Sequence, residues 1–415
     1  MSQPVRTVGV REARRLAVAK QHLAGKRHGR ATRDAIVSMI RDVGYIQWDP
    51  VTVVAPSHII SIWSRVGDFD PKELEALLWE EKKVFEHWTP VASIVLTEDY
   101  PLYNTLMKGY PESLSHSWAN HIPRAKKFLA AHGDLRKRVL RDLKNGPLQV
   151  DQFADYRRTK RSSDGWSTDD GLSNMLFHLL MAGEVMVVGH DGKQNLWGLP
   201  EDFLPEWTDK RALSQEEFEL KAAERAVRAL GTASPSEINY YFVRGRYQNL
   251  KNALAQLEKD SKVHRVKVDG FGREERYMHD DDLALLESLE GKGWIPRTSL
   301  IPPFDNVLSG QRRGNTVFGF NYVREQFLPK EKRKYGTYVL PIVHGENLIG
   351  RIDPRLDKVR RTLIVNAVHA EPSAPRTKEA AADIGAEIDR LARFVGAADV
   401  EYASKVPDFW RSALR

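Results

Sequence analysis

Cysteine is absent from all 415 residues. Disulfides, thiolate metal sites and cysteine nucleophiles are therefore excluded, and a reducing compartment fits. No apolar run reaches the ~20 residues of a membrane-spanning helix, and no signal-peptide hydrophobic core is visible. A cytoplasmic protein with no membrane partner is the expectation. The G-x-x-x-x-G-K phosphate loop, the G-x-G-x-x-G turn and the nucleophile elbow are missing as well, which argues against ATP-driven, dinucleotide and serine-hydrolase chemistry and against any nucleotide cofactor. The 13 histidines form no H-E-x-x-H and no close cluster with acids. His116 and His121 stand five apart in a loop-like stretch and read as solvent-exposed, so neither a metal nor another cofactor is expected.

What the chain has is positive charge. Sixty-three Lys and Arg against 56 Asp and Glu leave a net +7. The basic residues cluster at Arg11 to Arg33, Arg136 to Arg141, Arg157 to Arg161, Arg244 to Lys251 and Lys330 to Lys334. Any one cluster could be a solvated helix face. Five of them in one folded chain favour a polyanionic partner, nucleic acid first.

Length alone suggests about two to four domains. Residues 9–24 and 32–41 carry apolar positions at helical spacing, the second with Thr32 as a cap. A short strand at 46–49, helices from Ser57 and from Pro71, and paired strands at 84–88 and 92–96 follow. That order is a winged helix-turn-helix. It recurs over helices at 134–145, 149–156 and 169–182 with a hairpin turning at Asp191-Gly192. It recurs again over helices at 216–230, 236–243 and 248–259 with a wing opening at Val263. Residues 294–372 change to short strands, Val317 to Phe320 among them, broken by Gly, Pro and charge, and read as a small barrel. An amphipathic helix at 376–396 follows. The expected fold is thus α+β, with three tandem winged helices at 1–130, 131–210 and 211–290, then a β-barrel with a C-terminal helix at 291–415. Repeated DNA-facing units make a monomer sufficient.

The candidate chemistry sits in Gly44-Tyr45-Ile46-Gln47-Trp48-Asp49-Pro50. On a strand, Gln47 and Asp49 share one face. A carboxylate beside an amide can hold a water or face a developing cation, although the spacing by itself fits a polar surface strand better. His58 follows by one short loop and could approach. Trp48, Trp63, Trp79 and Trp88 are dense for one domain and suit a core, with one a candidate to stack on a base.

Taken together, Gly44-Tyr45-Ile46-Gln47-Trp48-Asp49, Ile62-Trp63-Ser64-Arg65-Val66-Gly67 and Pro303-Phe304-Asp305-Asn306 resemble the AlkZ/YcaQ group of winged-helix DNA glycosylases. Arg324-Glu325, Leu328-Pro329, Lys332-Arg333, the run Tyr335 to Ile342 and Gly350-Arg351-Ile352-Asp353 continue the likeness over nearly the whole chain. The resemblance implies three winged helices and a barrel in a C shape around duplex DNA. It also implies hydrolysis of the N-glycosidic bond of N7-alkylated purines. The Gln-x-Asp form looks like the branch that acts on more lesions, including interstrand crosslinks. Gln47 and Asp49 are then the catalytic pair, and Arg65, Arg324, Lys332, Arg333 and Lys334 are expected DNA contacts. No lysine adjoins the strand for Schiff-base chemistry, so a metal-independent, monofunctional enzyme is expected. Where many relatives read Trp-Ala-His-Glu-Ala, this chain reads Trp88-Thr89-Pro90-Val91-Ala92, and the His and Glu are lost. The competing expectation is a non-catalytic winged-helix transcriptional regulator.

Overall fold

The computed structural model describes residues 6–27, 29–89, 91–154, 171–192, 194–272, 274–309, 311–412 and 414. The basic cluster Arg157 to Arg161, the end of the helix expected at 149–156, and Pro90 lie outside the described residues.

Helix Arg33–Val43 starts where the Thr32 side chain accepts from the Ala35 N–H, and it ends at Gly44. Gly44 has φ +85, a left-handed conformation that glycine adopts without strain, and a Cβ there would press to 3.2 Å from the Phe242 ring. The chain then enters strand Ile46–Gln47, helix Ser57–Val66, helix Pro71–Glu75 with a π turn Ala76–Glu80, and hairpin Val84–Trp88/Ala92–Leu96. The short strand pairs with the second hairpin strand, Ile46 opposite Ile94 and Gln47 opposite Ser93.

The same order returns twice. Helix Gln215–Leu230, strand Thr232–Ala233, helices Pro235–Tyr241 and Leu250–Lys259, and hairpin Val263–Val268/Arg276–His279 again put the short strand on the second hairpin strand. Between them stand helix Gly133–Leu143, a single Leu148–Trp197 bridge in the short strand's place, turn Val150–Gln152, helix Leu172–Met181 and hairpin Met186–Asp191/Gln194–Gly198. Capping boxes at Ser214/Glu217 and Ser234/Glu237 begin two of the helices.

The C-terminal part departs from expectation. Its five strands run in the order Thr298–Leu300, Leu340–His344, Asn347–Asp357, Thr362–Ala370, Asp399–Lys405, and the two edges do not pair. This is an open sheet and not a closed barrel. Helix Lys378–Phe394 packs against both edge strands and occupies the gap that closure would have to bridge. It also carries the chain over to add Asp399–Lys405 in parallel, a strand in what the sequence suggested was a tail. Residues 317–320, read as a strand, form the end of helix Gln311–Phe318, with Gly319 at φ +65 turning the chain out of it.

The hydrophobic cores ignore the expected boundaries. One joins Ile36, Ile46, Trp63 and Leu96 to Tyr338, Ile352, Ile384 and Trp410. A second joins Tyr45, Phe85 and Tyr103 to Val227, Phe242 and Tyr277. The N-terminal strand Arg6–Val8, placed by sequence in the first unit, pairs in parallel with Val263–Val268 of the third. Among the described residues no helix is long and apolar enough to cross a membrane.

Candidate active site

Asn306 fixes the strand that carries the Gln-x-Asp pair. Its amide donates to the carbonyls of Tyr45 at 2.7 Å and Val43 at 3.3 Å, and to the Tyr241 hydroxyl at 3.0 Å. Tyr241 donates in turn to the Val43 carbonyl at 2.8 Å. The strand's own pairing continues one step further, with the Trp48 N–H on the Ala92 carbonyl at 2.8 Å. Trp48 stacks on His58 at 4.1 Å and on His190 at 5.1 Å and packs against the hydrophobic core. Trp63 is wholly buried, and Trp88 meets Phe177 edge-on.

Gln47 lines a cavity of about 180 Å³ with Tyr45, Val91, Tyr240, Arg244, Phe304, Arg324 and Phe327. Among the described residues its side-chain amide has no hydrogen-bond partner. Arg324 lies 5.2 Å from the Phe304 ring and donates to the Pro303 carbonyl, and Arg244 lies 5.4 Å from the Tyr240 ring. Phe327 is 73 % exposed at the rim. Sequence reasoning missed this aromatic, although an apolar residue beside a basic run is the pattern of a nucleic-acid surface. Val91 stands on the cavity wall.

Asp49 sits just past the strand. One carboxylate oxygen accepts from the Val51 N–H at 3.1 Å. The other, Oδ2, is buried with no partner, and so are Ser57 Oγ, His58 Nδ1 and Tyr338 Oη. The Ser57 hydroxyl and the Asp49 charge both act on the Tyr338 hydroxyl, in opposite senses, yet none of these groups completes a hydrogen bond of normal geometry. Burial raises the Asp49 carboxyl above its ordinary range, with the Val51 N–H pulling weakly the other way. Burial holds His58 down to about 3, so it is a neutral ring at pH 7.

This combination sets Asp49 apart. Among the described residues, the other buried aspartates and glutamates have a cation or at least two donors. Asp305 pairs with Arg65, Glu387 with Arg27, Asp282 with Lys20 and Asp99 with Arg225. Glu219 and Glu325 each accept two backbone N–H groups. Asp49 has one donor and no cation. A buried carboxylate left in that state is costly, unless a positive charge arrives during function.

The expected DNA contacts divide. Lys332 and Lys334 are exposed and Arg333 is half-buried, on a loop whose turn spans Lys330–Lys332. Arg333 donates to the Leu328 carbonyl and the Thr337 hydroxyl, and Lys334 rests 4.9 Å from the Tyr335 ring. Arg65 does not reach the surface. Its side chain and that of Asp305 are each 0 % exposed, and two bonds of 2.6 and 2.8 Å join them. It is an internal strut behind the cavity. In the cluster from Arg11 to Arg33, Arg27 is buried on Glu387, while Arg11 on Glu346 and Arg33 on Glu73 and Glu81 form ion pairs at the surface.

The solved structure of Streptomyces sahachiroi DNA glycosylase AlkZ resembles this fold. The match covers 97 % of this chain and 100 % of that one at a TM-score of 0.66 and 15 % identity. At that identity the likeness speaks for the fold. The profile of the family described as DNA glycosylase AlkZ-like matches residues 40–394, a span that holds Gln47, Asp49, Asn306 and the basic loop. The chain therefore belongs to the AlkZ-like family of DNA glycosylases.

Proposed function

We propose that this glycosylase hydrolyses the N-glycosidic bond of N7-alkylated purines in duplex DNA, with Asp49 and Gln47 as its catalytic pair and without a metal. The observation that carries the reading is the buried Asp49 carboxylate with a free oxygen and no cation beside it. An N7-alkylpurine already bears positive charge, so it departs without a strong general acid. As the C1′–N9 bond lengthens, its electron pair moves to the purine and the sugar becomes oxocarbenium-like. Asp49 faces that charge in a site of low dielectric. Water adds to C1′ and its proton passes to Asp49, whose raised affinity for a proton makes it a better base. The unpartnered Gln47 amide orients the water.

In this reading the three repeated units act as winged helices along the duplex, and one chain suffices. Arg324, Lys332, Arg333 and Lys334 contact phosphates, and the exposed Phe327 stacks on a base. The test is release of N7-methylguanine from methylated duplex DNA in the presence of chelator. Asp49→Asn and Gln47→Ala should each lose about 10²–10⁴-fold in rate, the usual reach of a positioned acid–base group, while DNA binding persists. Full activity in Asp49→Ala would remove the proposal. A duplex carrying an N7-linked interstrand crosslink, offered to the same protein, decides whether its unhooking belongs to the activity.

A further inference from the structure

Two carboxylates far apart in sequence present one tyrosine to Asp49. Glu325 accepts the N–H of Tyr335 at 2.7 Å and of Gly336 at 3.1 Å. Asp353 accepts the N–H of Thr337 at 3.3 Å, and the Tyr338 backbone acts on the same carboxylate. Asn366 holds the second oxygen of Asp353 at 3.3 Å. Gly336 makes the approach possible, since it has φ +143 and a Cβ there would fall 2.2 Å from the Asp353 carboxyl carbon. The Arg351 guanidinium is sandwiched between Tyr335, at 4.1 Å, and Phe320, at 4.3 Å. Successive backbone donors are thus held by carboxylates on both sides, which sets the direction in which the chain enters Tyr338.

The outcome of this clamping is a buried tyrosine whose ring joins the core shared with Ile46 and Ile60. Its hydroxyl completes no hydrogen bond of normal geometry, the Ser57 hydroxyl and the Asp49 charge both act on it, and the Ser57 N–H donates to the Asp49 carbonyl at 3.1 Å. A phenylalanine would fill the same apolar space at lower cost, because an unsatisfied buried hydroxyl is destabilising. The hydroxyl therefore calls for a role other than packing.

We infer that Tyr338 is a positioning residue of the glycosylase reaction, contributed by the C-terminal sheet, whose hydroxyl, with Ser57, holds the attacking water on Asp49. This rests on the proposed role of Asp49. The hydroxyl donates to the water or to Oδ2 throughout and exchanges no proton in the net reaction. Burial raises its pKa far above neutrality, so it remains a donor at every working pH. It also stabilises the ionised carboxylate once water bridges them, which offsets part of the burial that raises Asp49.

The experiment is single-turnover release of N7-methylguanine from methylated duplex DNA by the full chain, for wild type, Tyr338→Phe, Ser57→Ala and Asp49→Asn. Tyr338→Phe should slow release by about 10–100-fold, as loss of one preorganised donor does. DNA affinity should stay within about twofold, and thermal stability should hold or rise. The acid limb of its pH profile should move to higher pH, because the carboxylate loses a donor and takes up its proton earlier. Ser57→Ala should share the direction of both changes, and it adds nothing in the Tyr338→Phe background if the two hold one water. An unchanged rate and acid limb in Tyr338→Phe, with Asp49→Asn inactive, would overturn the role of Tyr338 alone. Rate, affinity and melting temperature falling together would reassign it to structure, and full activity in Asp49→Asn would remove the reading beneath it.

Discussion

Arg65 offers the sharpest contrast between a residue that binds DNA and one that holds the protein together. Its guanidinium makes bonds of 2.6 and 2.8 Å to Asp305 and one of 3.1 Å to Gln21, and neither partner of the ion pair is exposed. Replacing Arg65 by Met removes both charge-assisted bonds and leaves the Asp305 carboxylate buried, with the Val307 N–H and the Ser61 hydroxyl as its remaining donors. Breaking a buried pair from one side costs about 3–5 kcal/mol. The loss should appear in urea denaturation as a lower midpoint with an unchanged slope. Adding Asp305→Asn neutralises the stranded charge and should recover a good part of it, so the two substitutions are far from additive. DNA affinity of the folded fraction, titrated against salt, should keep its slope, since no phosphate contact is lost. An unchanged denaturation midpoint, with the salt slope reduced by the ~0.9 that one phosphate contact contributes, would refute the argument and restore Arg65 to the DNA surface.

The basic loop should behave oppositely. Replacing Lys332, Arg333 and Lys334 by Ala should lower the slope of log affinity against log salt by up to ~2.7 while leaving the denaturation midpoint nearly unchanged, and Phe327→Ala should cost about 1–3 kcal/mol of DNA binding with no change of slope. Anisotropy titrations at several salt concentrations separate the two, and a slope indifferent to the triple change would exclude the loop from the interface. Acid should destabilise the fold through His58 and His87, which burial holds down to about 3 in each case. The unfolded chain takes up these protons below ~6.5 and the folded protein refuses them, so stability falls between about pH 6.5 and 3 by up to ~1.4 kcal/mol per pH unit for each ring. His190 works in the opposite sense. Burial disfavours its charge, but the Glu86 hydrogen bond and nearby carboxylates outweigh it and raise its pKa, so its contribution is present below ~6.5 and fades as pH rises through the raised value. His87→Phe should flatten the acid slope measured by urea denaturation across pH, and an identical slope would show that His87 is not its source.

Local chemistry was legible in the sequence wherever one residue type had one physical use. Thr32 before an apolar helix marks a start and Asp191-Gly192 marks a hairpin, and each stands where its chemistry requires. The short strand at Gln47 was legible for the same reason, although it ends at Gln47 and leaves Asp49 beyond it. Partnerships at long range were not. A basic cluster reads alike whether it faces phosphate or Glu387, so the run holding Arg27 looked like a nucleic-acid surface, and the family resemblance that offered Arg65 as a DNA contact carried no sign of its pairing with Asp305. Strand alternation does not reveal which edges meet, so an open sheet read as a barrel. Tyr338 gave no local signal of its place beside Asp49, because that place depends on carboxylates at 325 and 353 and on a glycine between them.

The pairing of Arg6–Val8 with Val263–Val268 has a consequence for synthesis. Arg6–Val8 is synthesised long before Val266 and cannot find its sheet partner until Val266 has emerged. The bonds from Arg14 to the Val317 carbonyl and to Asn347 wait longer still. Nascent chains that end before this point hold an unmatched strand edge and an apolar helix face, both open to wrong contacts. The protein should therefore acquire its protease resistance late and in one step, when nearly the whole chain is available, and not unit by unit as a string of tandem domains would.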